Sequence, residues 1–110
     1  MKSIFPVIFI SAILFYAVPF VAAADTASGK EVFAKKCASC HGAAGEGNEK
    51  IAQLMKVEIK NLGAKEIQSK SDAELKKIVA EGSGKMKPPK DMTDKSIDDV
   101  VAYLRTLAKK

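Results

Sequence analysis

Residues 37–41 read Cys37-Ala38-Ser39-Cys40-His41, and they hold both cysteines and the single histidine of the chain. On a helix, positions i, i+3 and i+4 share one face, so the two thiols lie side by side with the imidazole next to them. Thiols at that spacing can each add across one vinyl group of a haem, and the adjoining imidazole nitrogen can then coordinate the iron. Three other readings compete. A disulfide between residues three apart closes too short a loop to stabilise much, and leaves His41 without a role. A thioredoxin-like redox pair needs a βαβ setting, and no segment of this chain alternates apolar and polar residues with period two. A zinc site would have Cys37, Cys40 and His41 but no second Cys/His pair to close it. The pentapeptide is therefore read as the attachment site of one covalent haem c, with His41 as the proximal iron ligand.

Working outward, the 110-residue chain has room for one domain. Ahead of it, Lys2 is followed by an uncharged, mainly apolar run from Ile4 to Ala24 that ends in Ala22-Ala23-Ala24. A positive start, an apolar centre and small residues at the end read as a secretory signal cleaved after Ala24. The competing reading is an uncleaved anchor, since the run is long enough to span a bilayer core of roughly 30 Å. Pro6, Pro19 and the alanine triplet favour the signal. Residues 1–24 are thus assigned to it and residues 25–110 to the functional domain, which places the protein in the periplasm. Export agrees with the motif, because covalent haem attachment takes place outside the cytoplasm.

Of five phenylalanines and two tyrosines, only Phe33 and Tyr103 lie beyond residue 24, and there is no tryptophan. A small domain with so few large side chains needs a staple, and a large apolar cofactor can supply part of its core. The net charge of +5 comes from lysines interleaved with acids, with no arginine cluster. That pattern argues against nucleic acid as a partner and for acidic protein surfaces.

The rest of the domain reads as helices joined by glycine-rich connections. Ser28-Gly29-Lys30-Glu31 has the form of a capping box, opening a helix that runs through about Cys40 and stops at Gly42 and Gly45. Lys50–Lys56 suits a short helix with Ile51, Leu54 and Met55 on one side, and residues 57–70 show no pattern. Ser71-Asp72-Ala73-Glu74 is a second capping box, with Leu75, Ile78 and Val79 facing inward and Gly82 as a left-handed C-cap. Thr93 caps a last helix whose Ile97, Val100, Val101, Leu104, Leu107 and Ala108 form one apolar stripe. Asp94, Asp98 and Asp99 crowd its positive end, and Arg105, Lys109 and Lys110 its negative end.

One histidine excludes bis-histidine coordination within the chain. The sixth iron position falls to methionine, lysine, an exogenous ligand or none. Beyond the signal the methionines are Met55, Met86 and Met92. Met55 reads as packing, on the apolar side of its short helix.

In order along the chain come Gly29 and Phe33, CASCH, "GAAGEG" at 42–47, "KSDAEL" at 70–75, "GKM" at 84–86 before two prolines, and "VVAYLRTL" at 100–107. In this the chain resembles the small monohaem class I cytochromes c of bacteria. The resemblance implies an all-α fold in which the first and last helices cross, Gly29 and Phe33 meeting Val100 and Tyr103, while short helices and loops wrap the haem. It implies Met86 as the distal iron ligand, in a loop between Gly84 and Pro88. Met92 is the second choice, standing where it can instead staple the last helix through Ile97. Lys87, between Met86 and the prolines, departs from the family pattern. The function implied is that of an exported electron carrier rather than an enzyme, cycling between Fe(II) and Fe(III). Lys36, Lys85, Lys87 and Lys90 would border the haem edge and meet acidic redox partners. Two alternatives are a haem-based sensor or small-ligand enzyme with an open sixth site, and a membrane-anchored cytochrome subunit of a redox complex if residues 4–24 are retained.

Overall fold

The computed structural model describes residues 3–4, 6, 8–16 and 24–109. Lys2, Pro19, Ala22, Ala23 and Lys110, which entered the reading above, lie outside the described residues. Residues 8–16 have no regular secondary structure, and their side chains are exposed. The domain is all-α: α1 (Thr26–Lys36), α2 (Ala38–His41), α3 (Glu49–Met55), α4 (Lys65–Gln68), α5 (Asp72–Glu81) and α6 (Asp94–Thr106). Among the described residues the only β pairing is an isolated bridge between Ser83 and Met86.

The first helix departs from expectation at both ends. Its N-cap is Asp25, whose carboxylate accepts from the N–H groups of Ala27 at 2.9 Å and Ser28 at 3.3 Å. Ser28 lies inside the first turn and donates its hydroxyl to Asp25 at 3.1 Å, so the Ser28–Glu31 capping box does not form. A carboxylate that reaches two orphan N–H groups and complements the positive helix end outcompetes a hydroxyl three residues on. At the other end Cys37 leaves helical geometry, with φ −121° and ψ −35°, and divides α1 from α2.

The later caps form as expected. Ser71 Oγ accepts from Glu74 N–H at 3.1 Å, and Thr93 Oγ1 accepts from Ser96 N–H at 3.0 Å. Gly82 does end α5, but with φ 81° and ψ 175° it lies outside the left-handed helical region. Leu54 is 78% exposed, so the supposed apolar side of α3 is not a core face. Ile51 and Met55 are half-buried.

α1 and α6 pack across one another around a core of Phe33, Leu75, Val79, Ile97, Val100, Val101 and Leu104. The crossing is set at Gly29, where a Cβ would stand 2.0 Å from the Asp99 carbonyl oxygen and 3.0 Å from Tyr103 Cβ. Phe33 packs tilted against Tyr103, with ring centroids 5.4 Å apart, a separation favourable for aromatic pairs. Met92 joins the rim of this core, which contains Ile97.

Residues 57–70, patternless in sequence, are held both by bonds within the segment and by bonds to α6 and to the loop after His41. Gln68 Nε2 donates to the carbonyls of Leu62 and Leu104, both at 2.9 Å. Arg105 reaches from α6 to the carbonyls of Gln68 at 2.8 Å and Lys70 at 2.6 Å, and to Asp72 Oδ1 at 2.8 Å. The arginine lies in the last turn of its own helix, as expected, and all three of its guanidinium nitrogens bond to another segment, as a planar guanidinium can and an ammonium cannot.

Replacing Gly29 by alanine must push α1 away from α6. We expect Gly29→Ala to cost about 2–3 kcal/mol, read as a lower urea midpoint with an unchanged slope.

Candidate functional site

The two thiols and the imidazole come together as one turn. His41 N–H donates to the Cys37 carbonyl at 3.0 Å and Cys40 N–H to the same oxygen at 3.2 Å. This i to i+4 closure places Cys37, Cys40 and His41 on one side of the chain. All three are half-buried. Both cysteines are free thiols, so the disulfide reading does not describe this state. Among the described residues no group of three or more His, Cys, Asp or Glu side chains is placed to hold a metal ion by itself, which removes the zinc reading.

Burial sets the chemistry of the trio. It pushes the Cys37 thiol up to about 11, with the neighbouring Cys40 adding to the effect. It also holds the His41 imidazole below the ordinary histidine value. The ring is thereby kept neutral at physiological pH, the form a metal requires. His41 Nδ1 is buried with no hydrogen-bond partner. Such a nitrogen is polar capacity that the polypeptide alone leaves unused, whereas Asp99, the buried polar residue among those described, has both carboxylate oxygens bonded. Two soft sulfur nucleophiles and a neutral imidazole on one turn fit a covalently held haem better than any group the chain supplies.

The loop after the motif holds the turn in place. Gly42, at φ 84°, ends α2, and a Cβ there would meet the Glu46 carboxylate at 2.5 Å. The chain then folds back so that Gly47 N–H donates to the His41 carbonyl at 2.6 Å and Asn48 N–H to the Cys40 carbonyl at 2.9 Å. Asn48 Nδ2 donates to the Ser39 carbonyl at 3.1 Å, while its Oδ1 caps α3 through Lys50 N–H at 3.1 Å and Ile51 N–H at 3.3 Å. One amide thus satisfies orphan groups of two helices. Sequence reading missed Asn48, although an asparagine directly before the apolar-bearing run Glu49–Met55 is a cap signal.

The two methionines are used differently. Met86 sits in a tight loop where its N–H donates to the Ser83 carbonyl at 2.9 Å and its carbonyl accepts from Ser83 N–H at 3.0 Å. Lys85 Nζ ties the same loop to the end of α3 through the Met55 carbonyl at 2.5 Å. Met86 is half-buried and takes no part in the packing around the core, whereas Met92 does. Met92 also lines a cleft with Val32, Lys35 and Lys36 of α1. Lys36, Lys85, Lys87 and Lys90 are all exposed.

The sequence model of the cytochrome c family matches residues 26–108. A search of curated proteins returned no match. Among solved structures, the KustC0563 c-type cytochrome is similar in fold, with a TM-score of 0.63 at 21% identity over 74% of this chain and 98% of its own.

Asn48→Ala removes both the α3 cap and the clamp on Ser39, and should cost about 1–2 kcal/mol in urea unfolding. Asn48→Asp keeps the cap and loses only the donor to Ser39, so its midpoint should fall between alanine and wild type.

Proposed function

The chain belongs to the cytochrome c family and carries covalently bound haem c, and we propose that it is an exported one-electron carrier of the periplasm rather than an enzyme. The observation that carries this reading is the single turn that bears two free thiols and, directly after them, a neutral imidazole with an unused buried nitrogen. Bound haem supplies the Fe(III)/Fe(II) couple. Cys37 and Cys40 would hold it through their sulfurs, each S–H adding across one vinyl group, so that nothing is oxidised and no group leaves. His41 supplies the proximal ligand. Met86 supplies the distal one: its loop is pinned through the backbone on both sides of the residue while the thioether is not consumed in core packing. A thioether is a soft ligand and favours the reduced state. Met92 serves as packing at the N-terminus of α6.

Residues 1–24 act as the export signal in this reading. No helix among the described residues is long and apolar enough to cross a membrane. The exposed Lys36, Lys85, Lys87 and Lys90 meet acidic surfaces of redox partners, adding to a net charge of +5 in the whole chain.

Optical spectroscopy of the holoprotein tests the ligand assignment. The ferric wild type should show a sulfur-to-iron charge-transfer band that Met86→Ala abolishes and Met92→Ala keeps. A band lost only in Met92→Ala reverses the assignment. A band absent from the wild type, with ready carbon monoxide binding to the ferrous form, replaces the carrier with a protein open at its sixth site. Partner steering has a separate readout: the electron-transfer rate with an acidic protein partner should fall severalfold between ~50 and ~200 mM salt, because exposed charges are screened. A salt-independent rate excludes steering by the lysines.

A further inference from the structure

Asp99 is buried, at 3% exposure, on the face of α6 that α1 crosses. Each of its carboxylate oxygens has one donor: Oδ2 accepts from Lys95 Nζ at 2.8 Å, and Oδ1 accepts from the backbone nitrogen of Asp25 at 2.8 Å, 74 residues away in sequence. Asp25 is the first residue after Ala24, where the processing signal ends. In the full chain that nitrogen is a neutral amide. After cleavage it is an ammonium. We propose that Asp99 is the receptor for the N-terminal ammonium of the mature chain, so that cleavage between Ala24 and Asp25 converts a neutral hydrogen bond into an ion pair fastening α1 to α6. The proposal rests on the processing reading above and goes beyond it.

The surroundings suit a cation there. The Asp99 carboxyl is held below the usual carboxylate range, first by the Asp25 N–H and then by Lys95, and so stays ionised. Asp25 is exposed as a residue and its bond to Asp99 is only partly buried, which limits the desolvation that opposes the charge. The positive N-terminus of α1 does repel an ammonium. Two carboxylates offset it, that of Asp99 and that of Asp25 itself, which caps the same helix. The other charged groups nearby are Lys95, whose side chain is 62% exposed, and Asp98, which pairs with Lys76 at 3.0 Å. Charge-assisted bonds of this kind are roughly twice as strong as neutral ones.

The test compares two mature holoproteins, wild type and a variant with one glycine inserted between Ala24 and Asp25. The insertion leaves the Asp25 N–H in place and moves the ammonium one residue outward. Mass spectrometry of the N-terminus comes first: a wild-type chain starting anywhere but Asp25 overturns the processing site and this inference together, without touching the carrier reading. With Asp25 first, the unfolding equilibrium constant in urea at pH 6 should be about tenfold smaller in wild type than in the glycine variant, matching an amine raised by about one unit. A raised amine stabilises fully below its ordinary value of about 8 and loses that effect as pH climbs through the raised value, so the difference should vanish above about pH 10. It should vanish at all pH values when both proteins carry Asp99→Asn. Equal stability of the two proteins at pH 6, or a difference that survives Asp99→Asn, overturns the ion pair. Should Asp99→Asn not fold, the titration of the Asp25 amine in the wild type decides: a raised value supports the pair, and an ordinary one overturns it.

Discussion

The contact on which the rest of the domain depends is the crossing of α1 over α6 at Gly29. There the backbone of one helix lies against a carbonyl of the other, with no room for even a methyl group. That approach lets Phe33 sink to 1% exposure among Val100, Val101 and Leu104, and brings Tyr103 against its ring. It also orients the CASCH turn, because Cys37 follows α1 directly and packs against the same core. A shift of α1 would move the thiols with it.

Such a core is lean. Its members are one aromatic and six aliphatic side chains, so polar clamps carry much of the remaining order. Arg105 and Gln68 hold α4 and the segment before α5 onto α6, Asn48 holds the loop after His41, and Asp99 holds the start of α1. Each joins a side chain to backbone groups, most of them outside helices or at helix ends, which makes these bonds costly to leave unmade.

The bonding pattern around the two methionines follows from the same economy. Residues next to the core are recruited to it, as Met92 is at the mouth of α6. Met86 stands in a loop closed by its own backbone bonds to Ser83, with Gly82 at positive φ just before the turn and Gly84 at positive φ within it. Lys87 follows that closed turn rather than interrupting it, and it is exposed. The extra residue ahead of the prolines is accommodated at the surface.

The sequence by itself determined what depends on short range. The CASCH spacing, the serine and threonine caps of α5 and α6, and the stripe of α6 are written within a few residues, because helical geometry repeats every turn. Resemblance added the crossing of the terminal helices, and Phe33 against Tyr103 matches it. Only the tertiary structure decided where α1 begins, why the chain breaks at Cys37, and what orders residues 57–70. Asp25 caps α1 while its N–H meets Asp99 across 74 residues, and Gln68 and Arg105 meet groups more than 30 residues away. A local pattern cannot register such partners. A hydrogen bond depends on distance in space, and the folded backbone alone brings these donors and acceptors within reach of one another.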